Sequence, residues 1–209
     1  MSELTIWRIP YSTNVERVAL ALGHHRLTAT WIDVDPADRS AVVQVSGQDL
    51  VPVLRAGDDE VIADSPAILA WIDAHGHGPP LYPADPARRT ETLIAIEWFN
   101  RVWKGPPNAI TAQLESDAPD EVAIAGDRAW MRGSLAWFER LLTGRRFLLA
   151  ETVGALDICA YPFLKYGTAT VSEDDPDRFH VVLAEYLGLG GDFPLLRAWI
   201  DRMADLPQA

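Results

Sequence analysis

The first 75 residues alternate between two hydrophobic periods. Residues 4–9 (Leu4, Thr5, Ile6, Trp7, Arg8, Ile9) are a compact, mostly apolar run that predicts a strand. From Asn14 the apolar positions recur at Val15, Val18, Ala19 and Leu22, which is one face of a helix closed by His24, His25, Arg26 and Leu27. The stretch 28–34 alternates and is β-branched, a second strand. Asp35 or Asp38 is placed to cap a short helix with Pro36 in its first turn. Two short strands, Val51–Arg55 and Glu60–Ala63, flank Ala56-Gly57-Asp58-Asp59, a hairpin signal. Ser65 then reads as a helix cap with Pro66 at the first helical position, and Ile68, Leu69 and Ile72 continue that helix. The predicted order is β-α-β-α-β-β-α.

Residues 75–87 hold four prolines and two glycines and read as a linker. After it the strand period disappears. A helix is predicted over Arg88–Lys104, ended by Gly105-Pro106-Pro107-Asn108, and another over Asp120–Leu142 with Trp130, Trp137, Phe138 and Leu141 on one side. Further helices are predicted over Gly154–Gly167, 178–187 and 193–204. A small α/β unit (1–76) therefore precedes an all-helical unit (88–209), with 77–87 between them.

Charge narrows the partners. Among 209 residues, 30 are acidic and 18 basic, a formal net charge of −12, and the basic residues are dispersed. Phosphate-rich partners would be repelled, so neither nucleic acid nor an anionic membrane is expected. No apolar run approaches the roughly 20 residues that cross a bilayer, and the N-terminus lacks the pattern of a signal peptide. Cys159, the one cysteine, has no partner for an internal disulfide and reads as a buried small hydrophobe, compatible with the cytoplasm. His24, His25, His75 and His77 read as a solvated helix end and a linker, so no metal is expected.

Four short stretches carry candidate chemistry. Ser12 stands just before the first helix. A thiol held there would meet the positive end of the helix, and a hydroxyl donating to its sulfur would favour the thiolate; equally, Ser12 or Thr13 simply caps the helix. Val51-Pro52 leads a strand, where a cis bond would turn the Val51 N–H and C=O outward to pair with an extended ligand. Asp64-Ser65 opens a helix, either as an ordinary start or as a holder for both ends of an amino-acid head group. In 97–108, Trp98 stacks over Val102 and Phe99 over Trp103, so one pair faces the core and the other is free for an apolar pocket. Arg101 and Lys104 stand near it as cations for an anionic substrate.

Read in order, Ser12-Thr13-Asn14-Val15-Glu16-Arg17-Val18-Ala19-Leu20-Ala21-Leu22, then Val51-Pro52-Val53-Leu54, then Asp64-Ser65-Pro66-Ala67-Ile68-Leu69 resemble the N-terminal half of cytosolic glutathione S-transferases of the bacterial serine type. The segment 144–166 resembles that family's G-R-x-F-L and A-D-x-x-x-Y-P segment, so the likeness spans about residues 4–170. It implies a thioredoxin-like domain followed by an α-helical domain, with glutathione as co-substrate on the first and a small hydrophobic electrophile in the cleft. Ser12 would be the catalytic hydroxyl on the glutathione sulfur, with Tyr11 as a rival, and Tyr11 and Asn14 would line the same site. Val51, before a cis Pro52, would pair with the cysteinyl backbone, and Asp64 and Ser65 would hold the γ-glutamyl group. Asp157 would be a folding element at the start of a core helix, with Gly154 as a cap lacking a side chain. The family usually forms homodimers in the cytoplasm and detoxifies electrophiles. The alternative is a non-catalytic scaffold or carrier of apolar ligands on the same fold. Without a cysteine near residue 12, dithiol exchange is not expected.

Overall fold

The structure, a computed structural model, describes residues 3–171, 175 and 177–209. The parts of the expected 1–76 and 88–209 units that fall on residues 1, 2, 172–174 and 176 lie outside the described residues. The chain divides into two compact units, Met1–Tyr82 with Leu206–Ala209, and Pro83–Asp205. The first is thioredoxin-like and the second is α-helical.

In the first unit the elements are β1 (Leu4–Arg8), α1 (Thr13–His25), β2 (Thr30–Asp33), α2 (Ser40–Ser46), β3 (Val53–Ala56), β4 (Glu60–Ala63) and α3 (Ser65–His75). The sheet order is β2-β1-β3-β4. β1 runs parallel to β2 and antiparallel to β3, and β3 runs antiparallel to β4. Ile6 and Leu54 from the strands, Val18 and Leu22 from α1, and Ile68, Leu69 and Ile72 from α3 are all fully buried. Burying each such side chain contributes roughly 1.5–3 kcal/mol, which is what holds α1 and α3 to the sheet. The C-terminal residues close on α1, where the Ala209 N–H donates to the Ala19 carbonyl at 3.1 Å. A side chain at Gly23 would meet the Pro207 carbonyl oxygen at 2.1 Å, so only glycine admits that approach.

Several local expectations are corrected here. The short helix begins at Ser40, not around Pro36: Asp35 and Asp38 instead close a turn, and Asp38 accepts from the Ser40 N–H at 3.0 Å. The residue at the cap position of α3 is Asp64, whose side chain makes no capping bond, and Ser65 is already inside the helix. Residues 24 and 25 are not a solvated helix end, because His25 is fully buried.

The second unit holds α4 (Pro86–Trp98), a π-helical turn (Phe99–Trp103), α5 (Gly105–Leu114), α6 (Glu121–Leu141), α7 (Ala155–Leu164) with a 3-10 turn (Lys165–Gly167), α8 (Arg178–Leu187) and α9 (Pro194–Ala204). Gly105-Pro106-Pro107-Asn108 starts α5 where the sequence suggested only an end. Proline needs no N–H partner in a first turn, so the same residues suit an entry as well as an exit. On α6 the core face is Ile124, Met131, Leu135 and Phe138, and Trp130 is 36% exposed. Phe99 and Trp103 are the inward pair, stacked at 4.5 Å and packed edge-on to Phe163. Val102 is exposed, Arg101 pairs with Glu97, and the Lys104 ammonium lies 4.9 Å from the centre of the Phe163 ring.

Asp157 ties this unit together. It is buried at the first turn of α7 and accepts from the Leu148 N–H (2.9 Å), the Gly154 N–H (2.9 Å) and the Trp199 indole N–H (2.7 Å). Burial pushes its carboxyl up to about 6 against those three donors, which pull the other way.

Candidate functional site

Strand register gathers the candidate residues at one end of the sheet. Trp7 pairs with Val53, and Val53 pairs with Ala63. The chain therefore leaves β1 toward Ser12, enters β3 from Pro52, and leaves β4 toward Asp64, all at that end. Beneath them, Trp7, Ile9, Val34, Val42 and Val53 form a buried apolar cluster against which Tyr11, Val45, Val51 and Ala63 pack. Tyr11 and Val51 thus stand on an apolar floor.

Ser12 is the residue that precedes α1. Its backbone is extended (φ −66°, ψ 124°), its carbonyl accepts from Val15 and Glu16, and its side chain makes no capping bond. The half-buried hydroxyl is therefore not spent on the helix. Asn14, one position into α1 from Thr13, is also half-buried. The Val51–Pro52 bond is cis, in line with the sequence reading, with Val51 half-buried and Pro52 buried.

Asp64 is exposed and takes φ 78°, a left-handed conformation uncommon for an aspartate, and its side chain does not cap α3. Ser65 is buried, and its Oγ accepts from Nη1 of Arg17 at 3.1 Å. Arg17, only 1% exposed, is the residue to which the sequence reading gave no role. It lies one turn after Thr13 and one before Ala21, all three buried, so a second inward stripe on α1 was the available signal.

Gln48 folds onto its own loop, donating to the Leu50 carbonyl at 2.8 Å and accepting from the Leu50 N–H at 2.6 Å. At the far end of α1 and α3, the His25 ring accepts from the Gly78 N–H on Nδ1 (3.1 Å), so its hydrogen sits on Nε2 and is donated to Asp73 (3.1 Å). Asp73 also accepts from the Leu81 N–H at 2.6 Å. Burial, with His24 adding to it, lowers the His25 pKa below the ordinary 6.5 despite Asp73. A cavity of about 710 Å³ opens at this end of the sheet, lined by Leu4, Arg26, Leu27, Thr30, Trp71 and His75 among others. None of the candidate residues lines it. Among the described residues, no cluster of three His, Cys, Asp or Glu is placed to hold a metal, and no helix is long and apolar enough to cross a membrane.

Residues 7–80 match the family model of the glutathione S-transferase N-terminal domain. Over 171 residues the chain is 29% identical to FtsZ-localized protein A of Caulobacter vibrioides, covering 76% of this chain and 74% of that protein. Among solved structures, the Tau class glutathione S-transferase of mango (Mangifera indica) superimposes with a TM-score of 0.79 at 20% identity, covering 98% of this chain and 90% of that one. The theta class glutathione S-transferase of Xanthomonas axonopodis pv. citri, solved with glutathione bound, gives 0.73 at 22% identity, covering 97% and 92%. At these identities the two structures establish the fold.

Proposed function

We propose that the first unit binds glutathione at the end of the sheet marked by Ser12, Val51 and Ser65, and that the protein is a glutathione transferase acting on a hydrophobic electrophile. The observation that carries this is Ser12: it heads α1, yet its hydroxyl is not used as a cap. In this reading the hydroxyl donates to the glutathione sulfur and the N-terminus of α1 adds positive potential. A free thiol with pKa about 8.5 is only a few per cent ionised at neutral pH. Each unit of lowering is worth about 1.4 kcal/mol toward the thiolate. Tyr11 and Asn14 flank the sulfur, Val51 lends its backbone to the cysteinyl part, Asp64 takes the ammonium and Ser65 the carboxylate of the γ-glutamyl group.

The sulfur then attacks carbon. The S–C bond forms as the bond to the leaving group breaks, the electron pair departs with that group, and the thiol proton goes to solvent. The exposed or half-exposed Trp98, Trp130 and Trp137 of the second unit suit an apolar electrophile. A cytoplasmic homodimer with a detoxifying role completes the proposal.

The test is calorimetric titration with glutathione, then conjugation of 1-chloro-2,4-dinitrobenzene by wild type and Ser12→Ala. Binding, with a rate that falls in Ser12→Ala, supports the proposal. An equal rate in the variant removes Ser12 from its role.

A second reading is favoured by the likeness to FtsZ-localized protein A, whose name records where it is found and no reaction. In that reading the chain is a non-catalytic scaffold or apolar-ligand carrier. Wild type showing neither binding nor turnover would favour it.

A further inference from the structure

We propose that the cavity beside Trp71 and Arg26 is a second ligand site, and that it takes a small planar aromatic molecule carrying one carboxylate. The inference goes beyond the glutathione reading and does not depend on it, because none of the residues assigned to that ligand lines this cavity.

The volume, about 710 Å³, falls within the range of small-molecule sites, roughly 300–1,000 Å³. Part of the lining is apolar and buried: Leu4 at the start of β1 and Leu27 just after α1. Another part is aromatic. Trp71 and His75 stand one turn apart on α3, and their rings stack at 4.1 Å with 19° between their planes. His75 Nδ1 donates to the Trp71 carbonyl at 2.8 Å, which fixes the imidazole beside the indole. A flat ring extends such a stack with little conformational loss. The Trp71 indole N–H is enclosed and meets no acceptor among the described residues. Phenylalanine would build the same wall without an unmet donor, and a ligand oxygen satisfies that donor as the wall adjusts to it.

Arg26 supplies the charge. It follows the last residue of α1 with φ 55°, the left-handed conformation that glycine adopts at a helix end without strain. Its side chain is exposed, lines the cavity, and among the described residues forms no ion pair or hydrogen bond. In a chain of net charge −12 this is an uncommitted cation, held at a position where glycine would cost less. A guanidinium receives a carboxylate through two parallel N–H groups, which gives the ligand its anionic end. Glu3 lines the same cavity and is also unpaired among the described residues. A second negative charge on the ligand would be repelled by it, so the ligand carries one.

The experiment is calorimetric titration of wild type, Arg26→Gly and Trp71→Leu with two probes: 2-naphthoate, and naphthalene-2-carboxamide, which keeps the ring and the size and removes the charge. Wild type is expected to bind the carboxylate about tenfold more tightly than the carboxamide, the scale of one hydrogen-bonded charge. Arg26→Gly is expected to abolish that preference and to leave carboxamide affinity within about twofold. Its urea midpoint is expected to be no lower than that of wild type, because glycine suits φ 55°. Trp71→Leu is expected to weaken both probes by a similar factor. Saturating glutathione is expected to leave naphthoate affinity within about twofold, since its proposed site is elsewhere on the sheet. Retention of the preference in Arg26→Gly overturns the proposal, as does equal loss of both probes, the mark of a purely structural arginine. Displacement of naphthoate by glutathione, unchanged affinities in Trp71→Leu, or a wild type that binds neither probe also overturns it. If Trp71→Leu does not fold, Arg26→Gly decides. A wild type that binds naphthoate but not glutathione removes the glutathione reading and leaves this inference standing.

Discussion

Arg17 meets Ser65 and His25 meets Asp73, and each pair is 48 residues apart in the chain. The equal spacing means that α1 and α3 run side by side in register, tied by a polar contact near each end. The two ends nevertheless differ. At the His25 end both ring nitrogens are engaged inward: Nδ1 accepts from Gly78, Nε2 donates to Asp73, and the same Asp73 oxygen also accepts from Leu81. At the Arg17 end the Ser65 hydroxyl accepts from the guanidinium, at the end of the sheet that also carries Ser12 and the cis Val51–Pro52 bond. One geometry serves as a clasp at one end and, in the proposed function, as part of the ligand site at the other. What separates them is that the closed end draws on residues 78–81, which fold back over it.

The sharpest way to break this contrast is Asp73→Ala. It strips the acceptor from two donors at the closed end and is expected to cost about 2–3 kcal/mol of stability, read as a lower urea midpoint, with glutathione affinity unchanged in the folded protein. Ser12→Ala is the converse. It is expected to lower the conjugation rate by about tenfold while stability stays within about 0.5 kcal/mol, since no cap is lost. A smaller effect, roughly 1–2 kcal/mol, is expected from Gly76→Ala, where the new methyl would meet the His25 ring at 2.3 Å and press the clasp open.

The mildest probe is pH. His25 holds its proton less tightly when folded than the ordinary 6.5, so its contribution is complete above pH 6.5 and is lost as the pH falls below it. Asp157 has the opposite sign: raised from 3.8 to about 6, it contributes most below pH 3.8, and that contribution disappears as the pH rises through about 6. Urea midpoints across this window are expected to lose their rise with pH in His25→Gln and their fall with pH in Asp157→Asn. Unchanged slopes in both variants would show that neither group titrates with folding.

Local structure was legible in the sequence where it depends on neighbours along the chain. Pro52 after Val51, Ser12 before a helical face and Asp64-Ser65 before Pro66 could be read because each is a contiguous stretch. Contacts made across the fold could not. The Arg17–Ser65 bond needs the register of two helices, and the burial of His25 needs residues 76–81 to fold back over α1. Gly105-Pro106-Pro107 misled because proline and glycine mark both ends of helices, and only the packing of Ile110 decides that a new one begins there. Trp130, grouped by the sequence with Phe138 on one side of α6, is 36% exposed, because the neighbouring Met131 takes the inward position.

The π-helical turn at Phe99–Trp103, where the Lys104 N–H donates five residues back to the Phe99 carbonyl, carries a consequence for how this chain can vary. Such a turn holds one residue more than an ordinary helical repeat. Deleting a single residue from it would restore the usual bonding and swing the preceding and following segments by about 100° relative to each other, the angle of one α-helical step. Point substitutions at Phe99 or Trp103 alter volume but preserve this phase. A change of length there would re-aim a whole face of aromatic side chains at once.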